Sequence, residues 1–269
     1  KINAGTLSVA NITNGGVVGN LGNSTNAAGN LVIGGGTLLY TGSNASTDRS
    51  FTLTASTTSE INVSNATTTL TISGTSASTN GALTKNGSGT LVLSGNNSHS
   101  GATTINAGTL VLSGTNTGSA ITINSGGSLL SATSIGSTTV NSGGKIAVGA
   151  SINSAGSLTV AGLTLNSNGA FTWDMSNATG AAGTGWDRIV SSGLLTIGST
   201  SGSKFTIAIT SSGVPSNWDY TSTGQTWDII TYGSLSGFAA DKFAFDTSAF
   251  GGSLTSDSSW ALSDTGSAL

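Results

Sequence analysis

One histidine, ten carboxylates and no cysteine set narrow limits on what this 269-residue chain can catalyse. The only imidazole, His99, lies in the turn-like run Asn96-Asn97-Ser98-His99-Ser100-Gly101 with no acidic neighbour, whereas a Ser-His-Asp triad needs an acid to orient the base. Residues 1–170 hold two carboxylates, Asp48 and Glu60, and a single arginine, Arg49. Polysaccharide cleavage requires paired carboxylates, or carboxylates with Arg or Lys around a bound cation. Asp241, Asp246, Asp257 and Asp264 could meet around Ca²⁺, but no GGxGxDxUx nonapeptide accompanies them, and solvated loops are the plainer expectation. The absence of cysteine removes disulfides, thiol catalysis and thiolate metal sites. The expectation is a chain with no catalytic, cofactor-binding or metal-binding residue.

The remaining side chains with chemical character are aromatic and late. All five Trp, six of seven Phe and two of three Tyr stand at or after position 171, where three basic residues face eight acidic ones. Four Trp-Asp pairs occur, at Trp173, Trp186, Trp218 and Trp227, with separations of 13, 32 and 9 residues that do not keep a propeller-blade period. Neighbours on a strand point to opposite faces, so a buried Trp beside an outward Asp is the simple reading. The other is that Trp173, Trp186, Trp218 and Trp227 offer apolar ring faces on which a sugar stacks.

The elements that must carry these residues are strands. Leu83 to Ser113 spells strand, glycine turn, strand more than once: GTLVLSG stands at 89–95 and again at 108–114, and INAGTL at 105–110 repeats 2–7. Copies of apolar residue, Asn, small turn and apolar residue follow at Ile123-Asn124 to Leu129, Val140-Asn141 to Ile146, Ile152-Asn153 to Leu158 and Leu165-Asn166 to Phe171. Thr109-Leu110-Val111-Leu112 and Thr69-Leu70-Thr71-Ile72 alternate polar with apolar, the period of a strand with one buried face. Upstream, Asn30 to Tyr40 reads as strand, glycine turn, strand, and the runs FTLT, EINV and TLTI fill Ser50 to Gly74. Gly and Asn at the turns supply positive φ, and a single proline, Pro215, leaves the ladders their donors. Repeats of this kind specify a solenoid, each coil burying its apolar stripe against its neighbours. At roughly 20 residues per coil, the expectation is about 13 coils and about 60 Å.

Composition agrees. Ser, Thr, Asn and Gly exceed half the residues and only 6% are charged, yet mean hydropathy is +0.16, unlike a disordered chain. A net charge of −3 offers nothing to nucleic acid, and no apolar run approaches the length of a membrane-spanning helix. Threonine pairs such as Thr52-Leu53-Thr54 raise an ice-binding ladder; successive Asn separations of 18, 17, 12 and 13 residues count against the equal coils it needs. The aromatic segment suits a wider end that covers the last apolar cross-section and its unpaired backbone. KINAGTL matches the middle of TTINAGTL, so the chain is expected to begin inside a repeat, whose open first coil would then template end-to-end association.

Leu83 to Leu112 closely resembles the passenger-associated transport repeat, also called the autotransporter-associated β-strand repeat. Lys85, Gly87, Gly89, Thr90, Leu91, Leu93, Ser94, Gly95, Asn97, Gly101, Thr103, Asn106, Gly108, Thr109 and Leu110 fall on its pattern, with His99 where the family usually has Tyr. The resemblance implies a right-handed β-helix in a secreted or surface passenger of a Gram-negative-type bacterium, and no catalytic residue. The sequence is therefore read as all-β, a right-handed parallel β-helix (β-solenoid) over 1–170, with best repeat match 83–113, and an aromatic-rich capping module over 171–269. Its expected function is structural or adhesive and non-enzymatic, outside the cell, with itself or surface and matrix glycans as partners. A carbohydrate-binding module is the first alternative and a polysaccharide-active β-helix enzyme the second.

Overall fold

A computed structural model describes residues 1–151, 153–219, 225–252 and 259–269. Its strands pair almost wholly in parallel, and the only helical turns among the described residues are the short 3₁₀ segments Ala28–Asn30 and Ala240–Lys242. Two compact units divide the chain: Lys1–Leu129 with Thr133–Ser137, and Leu130–Ala132 with Thr138–Leu269.

The first unit is a parallel β-helix. One stack runs Thr6–Val9, Thr37–Tyr40, Thr58–Val63, Ala82–Asn86, Thr103–Ile105 and Ile121–Ile123, each parallel to the next. A second runs Ala45–Thr47, Thr69–Ile72, Thr90–Leu93 and Gly108–Leu112. A third side is made by Val32–Ile33 on Thr52–Leu53 and by single bridges at Phe51, Ser76 and Asn97. Alternation places Leu91, Leu93, Leu110 and Leu112 inside while Thr90 and Thr109 stay half-exposed and Ser113 exposed, as the period-two pattern predicts.

Register survives unequal coils. Leu38, Ile61, Lys85, Ile105 and Ile123 form one inward column although they lie 23, 24, 20 and 18 residues apart. Ladder pairing fixes the strands, and the surplus residues go into turns. Thr84, Thr104 and Thr122 therefore align on the outer face, so unequal separations do not exclude a threonine column, contrary to the expectation from spacing. Beside it stands a file of asparagines, with Asn124 Nδ2 donating to Asn106 Oδ1 at 2.8 Å, and not a second threonine column. The turns need glycine where coils touch: a Cβ on Gly95 or Gly114 would overlap the carbonyl of Gly74 or Gly95 on the preceding coil.

The second unit keeps the parallel plan with larger side chains. Thr138–Val140 and Leu163–Leu165 are followed by the ten-residue strand Arg188–Ile197, which pairs with Ser157–Val160 through its first half and Leu163–Leu165 through its second. Ile230–Ser236 covers it with a register shift between Ser191 and Leu194. Lys145–Val148, Ala170–Asp174, Phe205–Thr210 and Phe243–Ala249 form the other stack. The alternating run Lys204-Phe205-Thr206-Ile207-Ala208-Ile209 reads as a strand in the sequence, and Phe205–Thr210 forms it. At 226–230 the sequence suggests a strand, but pairing begins only at Ile230, because Trp227 is drawn into a ring cluster where its Nε1 donates to Ala178 O at 2.9 Å. Asn153 and Asn168 carry positive φ at turns, a conformation asparagine tolerates; Ile152, which opens one sequence repeat, lies outside the described residues.

Candidate functional site

The charged residues of the first unit are largely spent on its own backbone. Arg49, 2% exposed, donates through Nε to Thr13 O (3.0 Å), through Nη1 to Ser24 O (3.0 Å) and Ser24 Oγ (3.1 Å), and through Nη2 to Gly22 O (2.8 Å) and Asn14 O (3.3 Å). The guanidinium fork thus closes the irregular 13–24 segment from within. Asp48 beside it accepts from Gly15 N at 2.7 Å and Asn26 Nδ2 at 3.3 Å, and Glu60 accepts from Asn62 Nδ2 at 2.9 Å.

Lys85 repeats the device inside the motif of 83–112. It stands in the inward column between Ile61 and Ile105 with no exposed surface. Its ammonium donates to Asn86 O and Gly87 O, both at 2.9 Å, and to Ala107 O on the next coil at 3.0 Å. Three donors meet three carbonyls, and the positive φ of Gly87, +77°, bends the turn so that they converge. Burial lowers its pKa to about 8. A lysine in an otherwise aliphatic column gives no period-two signal of burial, so its inward position was not legible from alternation.

His99 is fully buried as well. Its Nδ1 lies 3.2 Å from Ser76 Oγ and its Nε2 3.0 Å from Thr103 Oγ1, which in turn meets Ser119 Oγ at 2.8 Å; Ser119 donates to Gly101 O at 2.7 Å. Burial lowers the imidazole pKa to about 4, so the ring is neutral at physiological pH. Its partners are hydroxyls, and the ring is sealed from solvent. This arrangement anchors a turn; it gives a nucleophile no access to substrate.

In the second unit the chemistry gathers around two buried aspartates. Asp187 accepts Gly156 N–H on Oδ1 at 2.8 Å and Asp174 N–H on Oδ2 at 3.0 Å. Asp174 accepts Asn153 N–H at 3.0 Å and the Thr210 hydroxyl. Burial raises both, Asp187 to about 8 and Asp174 to about 6; backbone N–H bonds oppose the shift, and the charge of Asp174 adds to that of Asp187. The expectation of an outward Asp beside a buried Trp is corrected here: Trp173 and Asp174 are both buried, and in the next pair Asp187 is buried while Trp186 is half-exposed. Asp174 keeps its ladder place opposite Thr210, and both carboxylates are enclosed because the backbone N–H groups of Asn153, Gly156 and Asp174 replace their water.

Trp173, Trp218, Trp227 and Trp260 cluster with Phe250. Centroids of Trp218 and Trp260 are 6.0 Å apart at 16°, Trp218 and Trp227 6.2 Å at 19°, Trp227 and Trp260 5.6 Å at 35°, and Trp218 meets the edge of Phe250 at 4.9 Å. Trp173, 1% exposed, underlies them at 6.0 Å from Trp227 and 6.1 Å from Trp260, with Nε1 donating to Asp187 O at 2.8 Å. Trp173 has no face open to solvent; Trp186, Trp218 and Trp227 are partly exposed. The cluster enlists Trp260, which the Trp-Asp pattern did not single out.

Among the described residues the late acids form no metal-holding group. Asp241 is exposed in a 3₁₀ turn, Asp246 accepts Ser248 N–H at 3.0 Å, and Asp264 accepts the Tyr232 hydroxyl and Gly266 N–H; Asp257 lies outside the described residues. No group of three or more His, Asp or Glu able to hold a metal forms among the described residues.

The parallel β-helix of the first unit thus carries a buried Lys-to-carbonyl staple inside the repeat of 83–112, and a comparison with known proteins falls on that repeat. Residues 83–112 match the family model described as Passenger-associated-transport-repeat. It is similar to the adhesin BmaC autotransporter of Brucella suis biovar 1 (strain 1330), 50% identical over 54 residues. That stretch is 20% of this chain and 2% of the adhesin, so the chain spans only a small part of that relative's length.

Proposed function

We propose that this chain is a non-enzymatic part of an adhesive passenger displayed outside a Gram-negative-type bacterium, where it presents a β-helical surface to cell-surface or matrix glycans. The observation that carries the reading is the repeat of 83–112, folded as stacked coils, and beside it stands a 54-residue likeness to a protein named as an adhesin. The surrounding chemistry supports it: Arg49, Lys85 and His99 serve the backbone or buried hydroxyls, and Asp174 and Asp187 serve backbone N–H groups and the Thr210 hydroxyl. A β-helix suits attachment because each coil adds length and outer surface while burying its own stripe. Within this reading, the partly exposed Trp218 and Trp227 are the rings through which a sugar would be met.

The test is attachment. Beads coated with the chain are expected to bind cultured cells or matrix-coated surfaces above beads carrying an unrelated β-helix, with soluble glycans competing, while a polysaccharide and ester panel shows no turnover. Equal attachment by both bead types would reject the adhesive role, and turnover abolished by one Asp substitution would reject the non-enzymatic one. Trp218→Ala and Trp227→Ala separate the sugar-stacking role: attachment unchanged in both would remove it and leave the rest of the surface as the binding face.

A further inference from the structure

One rung position inside the first unit is polar where its neighbours are not. Three copies of a Ser-Gly-x-Ser/Asn turn, Ser73-Gly74-Thr75-Ser76, Ser94-Gly95-Asn96-Asn97 and Ser113-Gly114-Thr115-Asn116, place Ser76, Asn97 and Asn116 in one column. Ser76 and Asn97 form a parallel bridge, and Asn97 N donates to Thr115 O at 2.9 Å. The column is closed at each end by an apolar residue, Phe51 bridged to Ser76 and Ile135 bridged to Asn116. All five side chains are buried, Asn116 completely.

The hydrogen bonds of this column do not close. Asn97 Nδ2 donates to Gly95 O at 3.0 Å, but Asn97 Oδ1 and both amide atoms of Asn116 meet no partner among the described residues. Buried amide atoms without partners are among the heavier penalties a fold can carry, and native proteins meet them with ordered interior water when the site offers several polar groups. A leucine would fill the same place without the penalty, as Leu93 and Leu112 do in the neighbouring stack. The preceding coil sets a buried imidazole two residues after its asparagine, at His99; the coil of Asn116 has Gly118 there, and contributes no side chain at that step.

We propose that Asn97 and Asn116 form an interior binding site for water, closed by Phe51 and Ile135, so that the passenger coil is stapled partly through bound solvent. The ligand must be neutral, since the column has no carboxylate and burial keeps the nearby His99 uncharged. It must also both donate and accept, since Asn116 offers an amide N–H₂ and an oxygen and Asn97 an oxygen. It must be small enough to lie within one coil. Water meets all three conditions.

Water-¹⁷O relaxation dispersion on the whole chain, with high-resolution diffraction, tests this. The native protein is expected to show slowly exchanging interior water and density bonded to the Asn116 amide. Asn116→Leu should lose that signal and lower the urea midpoint. Asn116→Ser, which copies the residue of the same column at Ser76, should fold and retain the slow water, and it keeps the test valid if the leucine variant does not fold. A direct Asn97–Asn116 amide bond with no density between would overturn the proposal. So would a native chain without slow water, or an Asn116→Leu midpoint above the native one.

Discussion

Replacing Lys85 by Met removes the ammonium while keeping a chain of similar reach in the same column. Three carbonyls, Asn86 O, Gly87 O and Ala107 O, then lose their shared donor, two within one turn and one on the next coil. Bonds from a charged donor contribute about 1.5–3 kcal/mol each, but removing the cation also relieves its desolvation, so the full sum does not appear. The thioether fills most of the volume, which keeps the packing term below about 1.5 kcal/mol. The expected loss is about 2–4 kcal/mol. Ile105→Met, on the adjacent rung of the same column, is the control and should cost less than about 1.5 kcal/mol. Urea unfolding followed by circular dichroism measures both. The dependence on pH adds a signature that packing cannot imitate. Burial lowers the folded pKa to about 8, so between that value and the ordinary 10.5 the unfolded chain holds a proton the folded chain has released. Stability then rises with pH in that window for native protein and not for Lys85→Met, and the gap between them widens from pH 8 to 10. A Lys85→Met variant as stable as native protein, or a gap that narrows with pH, would show that the carbonyls do not depend on this ammonium.

Three further substitutions probe the other buried groups. His99→Phe removes one partner from each of the Ser76 and Thr103 hydroxyls, which keep backbone N–H groups and Ser119 Oγ, and should cost about 0.5–1.5 kcal/mol for each bond lost; because burial lowers the imidazole to about 4, the native chain loses stability as pH falls below about 6.5 through 4, and the variant should show a shallower acid limb in melts from pH 7 to 4. For Asp187 the sign reverses: raised to about 8, it binds a proton in the folded state that the unfolded chain has lost, so its contribution declines as pH rises from about 4 to 8, and Asp187→Asn should flatten that slope; an unchanged slope would contradict the shift. Leu110→Asp places an unpaired carboxylate at a fully buried rung and should abolish the cooperative melt of the first unit, whereas a native-like melt would refute its inward assignment.

Much of the fold was legible because a strand writes its burial into alternate residues. Leu91, Leu93, Leu110 and Leu112 declared themselves by period two, and the Gly-rich turns by the φ and the close approach they require. Strand assignment failed at 226–229, where apolar and β-favouring residues were recruited by a ring cluster instead of a ladder. The aromatic segment could be seen as distinct, but the membership of Trp260 and the enclosure of Trp173 depend on which turns converge, and spacing carries no such information.

The sequence by itself determined the repeat, the parallel strands and the passenger-type resemblance, since each depends on local patterns that recur within one coil. Only the tertiary structure decided that unequal coils stay in register, because ladder hydrogen bonds between distant residues fix the strands and leave the turns to absorb the difference. It alone decided the fate of the polar residues. Whether Lys85, Arg49, His99, Asp174 or Asp187 is solvated or enclosed depends on whether carbonyls, hydroxyls or N–H groups from other coils arrive to replace its water, and that exchange is set by contacts 10 to 40 residues apart in the chain.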